Sequence, residues 1–179
     1  MTDYQIRPIR ASEWRAIREL RLTALQDEVA GIAFLDTYDE ALVRPDEFWQ
    51  QRAHGSSVDN PEPASRQWVA ITEAGEWVGT TVALIERPGE RGAIGAITAS
   101  GGHLVGVYIH PDHRGNGLLG RLFETASTWL AEQGMTRIRL FVHTDNARAQ
   151  AAYRRLGFET TGVSTATTAG EELEMVLRS

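Results

Sequence analysis

Apolar residues recur along this chain in two rhythms, and these mark out its elements. Ile138, Leu140 and Val142 alternate with Arg139, Phe141 and His143, the period-two pattern of a strand. Leu118, Leu122, Ala126 and the pair Trp129/Leu130 share one helix face, the stripe of a helix packed on a sheet, and Gly134 stops it. Ala149, Ala152, Tyr153 and Leu156 share a second helix face, closed by Gly157. Residues 104–109 form an apolar strand-like run.

The first half is less regular. Residues 4–10 read as a short strand, followed from Ser12 by Trp14, Ile17, Leu20, Leu22 and Leu25 near helical spacing. Gly31 breaks that pattern, and residues 33–38 fit neither period. A second helix is expected over about 45–53, with Pro45 in its first turn. Residues 55–65, rich in Ser, Asp, Asn and Pro, read as a loop. Residues 67–72 and 77–86 form a hairpin around Glu73-Ala74-Gly75-Glu76. The Gly/Ala-rich stretch 87–102 reads as a long, mobile connection. A last hairpin joins 158–164 to 173–178 over Thr167-Thr168-Ala169-Gly170. The order β-α-α-β-β-β-α-β-α-β-β mixes antiparallel hairpins with one crossover helix between parallel strands. The fold class is therefore α+β, of the kind often filed as α/β.

Composition narrows the picture. The 179 residues fit one domain with a proper core. A net charge of −6 argues against a nucleic-acid binder. There is no cysteine, which excludes disulfides, a Cys-zinc site and a cysteinyl acyl-enzyme. His110 and His113 lack the helical spacing of a metal pair, and no metal is expected. No apolar run reaches the roughly 18 residues of a membrane span, and the N-terminus lacks a signal-peptide pattern, so cytoplasm is the default location and no membrane partner is expected.

The chemistry concentrates between the 104–109 strand and the helix that begins at Leu118, where the chain reads His110-Pro111-Asp112-His113-Arg114-Gly115-Asn116-Gly117-Leu118-Leu119-Gly120-Arg121. Glycines here let backbone N–H groups come close to a ligand. The first turn of the helix adds unpaired donors and the positive end of its dipole, a ready phosphate site. Gly115, Gly117 and Gly120 match the dinucleotide fingerprint, but residues 110–114 separate the strand from the first glycine and the acidic residue comes late, at Asp145. A Walker-type loop is excluded because no Gly-Lys-Ser/Thr is present.

Arg114-Gly115-Asn116-Gly117-Leu118-Leu119 resembles the pyrophosphate loop of the GNAT superfamily of acyl-CoA N-acyltransferases, Gln/Arg-x-x-Gly-x-Gly/Ala, fitting at Arg114 and Gly117 and departing at Leu119, with Gly120 one place late. A second block strengthens the resemblance. Asn146 to Phe158 reads Asn-x-x-Ala-x-x-x-Tyr-x-x-x-Gly-Phe, in the expected order and spacing. The resemblance implies a mixed, mostly antiparallel sheet with a splayed central strand pair. It implies one domain over 1–179, with a cofactor-binding core at about 103–158 and acceptor-side elements at about 11–65.

The same resemblance implies acetyl-CoA as cosubstrate and direct transfer to a primary amine of a small molecule or peptide. Val107, Tyr108 and Ile109 would bind the pantetheine arm and acetyl carbonyl through free backbone groups. Residues Arg114, Gly115, Asn116, Gly117, Leu118, Leu119, Gly120 and Arg121 would surround the phosphates, with Asn146, Ala149 and Tyr153 along the arm. Tyr153 matches the general acid that protonates the departing sulfur. His103 stands where a base is often placed, and Glu86, at its strand's end, is the next candidate. Trp49, Phe48, Tyr38 and Phe34 are candidates for the acceptor pocket, core packing being the plainer role for most of them. A binding-only acyl-CoA sensor is the alternative reading, and the acceptor, acyl preference and a homodimer are left open.

Overall fold

β2 (Ser65–Thr72) shows why this chain makes two layers of helix around one sheet. Trp68 and Ala70 enter one buried apolar cluster while Val69 and Ile71 enter another, so the strand is covered on both faces. We analysed a computed structural model that describes residues 3–178. The strands are β1 (Tyr4–Pro8), β2, β3 (Trp77–Glu86), β4 (Gly101–Ile109), β5 (Ile138–His143), β6 (Phe158–Thr167) and β7 (Gly170–Leu177). They form a single sheet in the order β1-β2-β3-β4-β5-β7-β6. Every neighbouring pair is antiparallel except β4 and β5.

The helices bury their stripes on opposite faces. Trp14, Ile17, Leu20 and Ala24 of α1 (Trp14–Ala24) pack with Trp49 and Ala53 of α4 (Asp46–Ser56), Val69 and Tyr108. Leu118, Leu122, Ala126 and Leu130 of α5 (Leu118–Glu132) recur every four residues and pack against Ala70, Leu104 and Leu140. Tyr153 of α6 (Ala147–Arg155) joins this second layer beside Phe123 and Phe158. The mixed class and the mostly antiparallel sheet match the expectation from the sequence. Among the described residues, no helix is long and apolar enough to cross a membrane.

Some boundaries differ from the periodicity reading. β4 begins at Gly101, so His103 lies inside the strand and the connection ends sooner than expected. Gly102 pairs with Ile85 on one side and Ile138 on the other, and this pairing overrides the weak strand preference of two glycines. Gly31 sits within a short helix, α2 (Ala30–Ala33), rather than ending one. A further short helix, α3 (Tyr38–Leu42), follows it. There Thr37 Oγ accepts the Glu40 N–H at 3.3 Å while the Glu40 carboxylate accepts the Thr37 N–H at 2.8 Å, a capping box. Pro45 is the N-cap of α4 and the helix continues to Ser56. β6 and β7 meet at a tighter turn than expected, with only Thr168 and Ala169 between them.

Candidate active site

The site starts where β4 and β5 part. They pair in parallel at Gly102–Ile138 and His103–Arg139, and no further pair joins them among the described residues. On its other side β4 carries a bulge. Val82 pairs with Val105 and Thr80 with Tyr108, so three steps on β4 oppose two on β3. Gly106 absorbs the extra residue with φ of 59°, a left-handed conformation that favours glycine. The strand segment after His103 therefore faces the gap with backbone groups that β5 does not pair.

A cavity of about 970 Å³ fills this gap. It is lined by β4 from His103 to Ile109, by residues 113–120, and by Asn146, Ala149 and Tyr153. Of the residues expected at the cofactor, Arg121 alone does not line it. Its guanidinium donates to the Tyr4 carbonyl at 2.9 Å and ties α5 to β1.

The loop before α5 is held from outside the motif. Gly117 caps the helix with φ of 85° and Gly115 has φ of 75°, which aims the chain into the first turn. Asn116 Oδ1 accepts the Leu118 N–H at 3.2 Å, and its amide donates to the Tyr4 hydroxyl at 2.7 Å. That hydroxyl in turn shares a hydrogen bond with His113 Nδ1 at 2.9 Å. Asn116 is thus a builder of the loop as well as part of its lining. Arg114 donates from Nε to the Ile109 carbonyl at 2.8 Å and pairs with Asp27. Gly120 meets α6 instead of open space: a Cβ there would stand 3.2 Å from Leu156. Its one-place displacement from the motif coincides with a helix contact.

His103 is buried and lines the cavity. Its Nδ1 lies 3.0 Å from Glu86 Oε1, and an ionised carboxylate only accepts, so Nδ1–H donates, and in the neutral ring Nε2 is the acceptor. Glu86 is buried and does not line the cavity. It receives a two-pronged contact from Arg139, Nε to Oε2 at 2.7 Å and Nη2 to Oε1 at 2.9 Å. Arg139 also donates to Glu174 at 2.8 Å and to the Ala96 carbonyl at 3.2 Å. Burial alone would raise the Glu86 carboxyl, but the hydrogen bonds from His103 and Arg139 hold it down at about 2.

Tyr153 is buried beside Phe123, the rings stacked with centroids 5.7 Å apart. Burial, and then the negative charge of Glu172, push its phenol well above the ordinary range. Asn146 Oδ1 accepts the Ala149 N–H at 3.1 Å and starts α6. Several lining residues carry no signal in the sequence: Arg21, Arg52, Gln67, Arg148, Arg155 and Glu172. Their positions depend on how helices and strands cross, and no motif spacing reports that. Of the four expected acceptor-pocket aromatics, Phe34 lines the cavity, while Trp49 is core and Tyr38 and Phe48 pack against it.

This arrangement, a bulged strand splaying from a parallel neighbour beside a glycine loop and a helix N-terminus, is the one that the resemblance to the GNAT superfamily implies. The acetyltransferase (GNAT) family model matches residues 14–158, and the chain belongs to that family. Two mycothiol acetyltransferases are similar over part of it. The protein from Kocuria rhizophila is 36% identical over 58 residues, 32% of this chain and 19% of that one. The protein from Saccharomonospora viridis is 42% identical over 64 residues, 34% of this chain and 21% of that one. The match thus spans about a fifth of those relatives' length. The crystal structure of PaiA N-acetyltransferase from Thermoplasma acidophilum in complex with coenzyme A superposes with a TM-score of 0.74 at 16% identity, covering 99% of both chains.

Proposed function

We propose that this chain transfers an acetyl group from acetyl-CoA directly to a primary amine. The observation that carries this is the two-pair β4–β5 contact, which ends at His103 and leaves one cavity running from His103 to Tyr153 past the α5 N-terminus. Three features fit the cosubstrate. The helix start and its glycines offer N–H donors for phosphates. The β4 segment offers donors for the thioester carbonyl. Arg148 and Arg155 add positive charge along the cavity wall.

The chemistry then assigns itself to the residues. The neutral amine attacks the thioester carbon and a C–N bond forms. His103 takes the proton that the nitrogen sheds, directly or through a water. Glu86 holds its Nδ1–H, so that Nε2 is the basic atom. Glu86 is a positioning residue in this scheme, because a carboxylate held near 2 and engaged by Arg139 is a poor base. Backbone N–H groups of β4 stabilise the oxyanion as it develops. The C–S bond then breaks, its electron pair stays on sulfur, and Tyr153 protonates the thiolate. Burial raises the phenol, so it holds its proton until the thiolate develops beside it.

Thermal shift with acetyl-CoA, followed by CoA release over a panel of primary amines, tests the proposal. Acetyl-CoA should stabilise the chain by mass action, and at least one amine should draw out CoA. None of the 18 basic residues is a lysine, so acetylation of the protein's own lysine side chains cannot mimic turnover. Gly117→Glu should abolish the stabilisation by placing a negative side chain at the phosphates. Stabilisation by NADH and not by acetyl-CoA would refute the assignment. Binding without turnover across the panel would favour a sensor instead.

A further inference from the structure

The cavity continues past the bulge to the α1 and α4 side, where its wall changes character. Arg21 of α1 and Arg52 of α4 line it together with Phe34 and Gln67. Both arginines also border a smaller void that reaches Gly106 and Tyr108, so they stand beside the bulge where the proposed transfer takes place. Arg21 is held in place. It pairs with Asp36, its guanidinium lies 4.3 Å over the Phe34 ring, and its Nε is buried without a partner among the described residues. Arg52 has neither an ion pair nor a hydrogen bond among the described residues. The residue is exposed as a whole, yet enough protein surrounds the guanidinium that desolvation lowers its pKa, and the Arg21 charge adds to this.

The charges do not cancel locally. Two arginines face one carboxylate, Asp36, and that one already belongs to Arg21. Asp27, an acid that does line the cavity, is taken by Arg114 and Arg148. A positive end to the cavity in a chain of net charge −6 is not a consequence of composition. A polycationic amine entering here would meet like charge in a partly desolvated space. A carboxylate or phosphate would give Arg52 the partner it lacks, in the planar two-pronged geometry that a guanidinium offers.

We infer that the acceptor is an amine that also carries an anionic group, a carboxylate or a phosphate, which Arg52 binds on the α4 side while the amine sits at the bulge. The inference rests on the acetyltransferase reading above. It sets the substrate class: amino-acid-like or phosphorylated amines, and not polyamines or polycationic sugars.

Matched acceptors test it. Amino acids are compared with their primary amides, and phosphoethanolamine with ethanolamine, by CoA release in wild type, Arg52→Gln and Arg52→Glu. In wild type the anionic member of the better pair should have a kcat/KM larger by about 10- to 100-fold, the span of a hydrogen bond to a charged group. Whether the amino acids or phosphoethanolamine show the preference tells carboxylate from phosphate. Arg52→Gln should erase the preference and Arg52→Glu should reverse it. The thermal shift from acetyl-CoA should persist in both variants, which also shows that they fold. Equal or better turnover of the neutral members or of spermidine overturns the inference and leaves the acetyltransferase reading standing. A preference that survives in Arg52→Gln also overturns it. So does an intact acetyl-CoA shift with no anionic amine acetylated. Loss of both the acetyl-CoA shift and all turnover in wild type overturns the acetyltransferase reading, and this inference falls with it.

Discussion

Replacing Glu86 by Gln separates the structural part of the His103 network from its chemical part. The change keeps the side chain's size and removes its charge. Glu86 and Arg139 have side chains only 5% and 3% exposed, so their contact is little screened. Folding moves the Glu86 carboxyl from an ordinary 4.5 to about 2. At about 1.4 kcal/mol per pH unit this is worth on the order of 3 kcal/mol at neutral pH. Because the folded value is the lower one, the stabilisation is complete above about 4.5 and is lost as the pH falls toward about 2. Arg139 keeps Glu174 in the variant, so its charge is not left unpaired. Urea unfolding of both proteins at pH 7, 5, 4 and 3 would measure it. The variant should be less stable by about 3 kcal/mol at pH 7, a melting temperature roughly 6–12 °C lower for a chain of this size. The gap should close as the pH drops below 4.5, because the wild type then loses what the variant never had. A gap that is the same at pH 7 and pH 3 would refute the reasoning, as would no gap at all.

Two further substitutions address the transfer itself. Tyr153→Phe keeps the stack on Phe123 and deletes only the hydroxyl, so kcat should fall by about 10- to 1000-fold with the acetyl-CoA thermal shift preserved. Unchanged turnover would return Tyr153 to a packing role. His103→Ala should remove the limb of the kcat/KM profile that rises with pH through loss of a proton from the enzyme, leaving the limb of the acceptor amine. If the enzyme's limb persists in His103→Ala and disappears in Glu86→Gln, the base is Glu86. If it persists in both, the amine loses its proton to solvent and catalysis rests on holding the two substrates together.

Much of the framework was legible along the chain because its signals are local. A stripe at every fourth residue marks α5 whatever it packs on, and alternation marks β5 in the same way. The backbone angles at Gly115 and Gly117 and the cap at Asn146 are local features, so their sequence patterns could be read directly. Even α3, which periodicity missed, carried a readable capping box at Thr37 and Glu40.

The decisive features of the site depend on residues far apart. β4 and β5 part after His103 while β4 bulges against β3 at Gly106, and neither strand's alternation encodes either event. Glu86, His103, Arg139 and Glu174 come from four strands and meet because the sheet order places β3, β4, β5 and β7 side by side. Tyr4 reaches the loop before α5 from the other end of the sheet, and Arg21 and Arg52 meet where two helices cross. Side-chain period reports which face a residue takes, and only the register between strands and the crossing of helices decides which distant residue it faces.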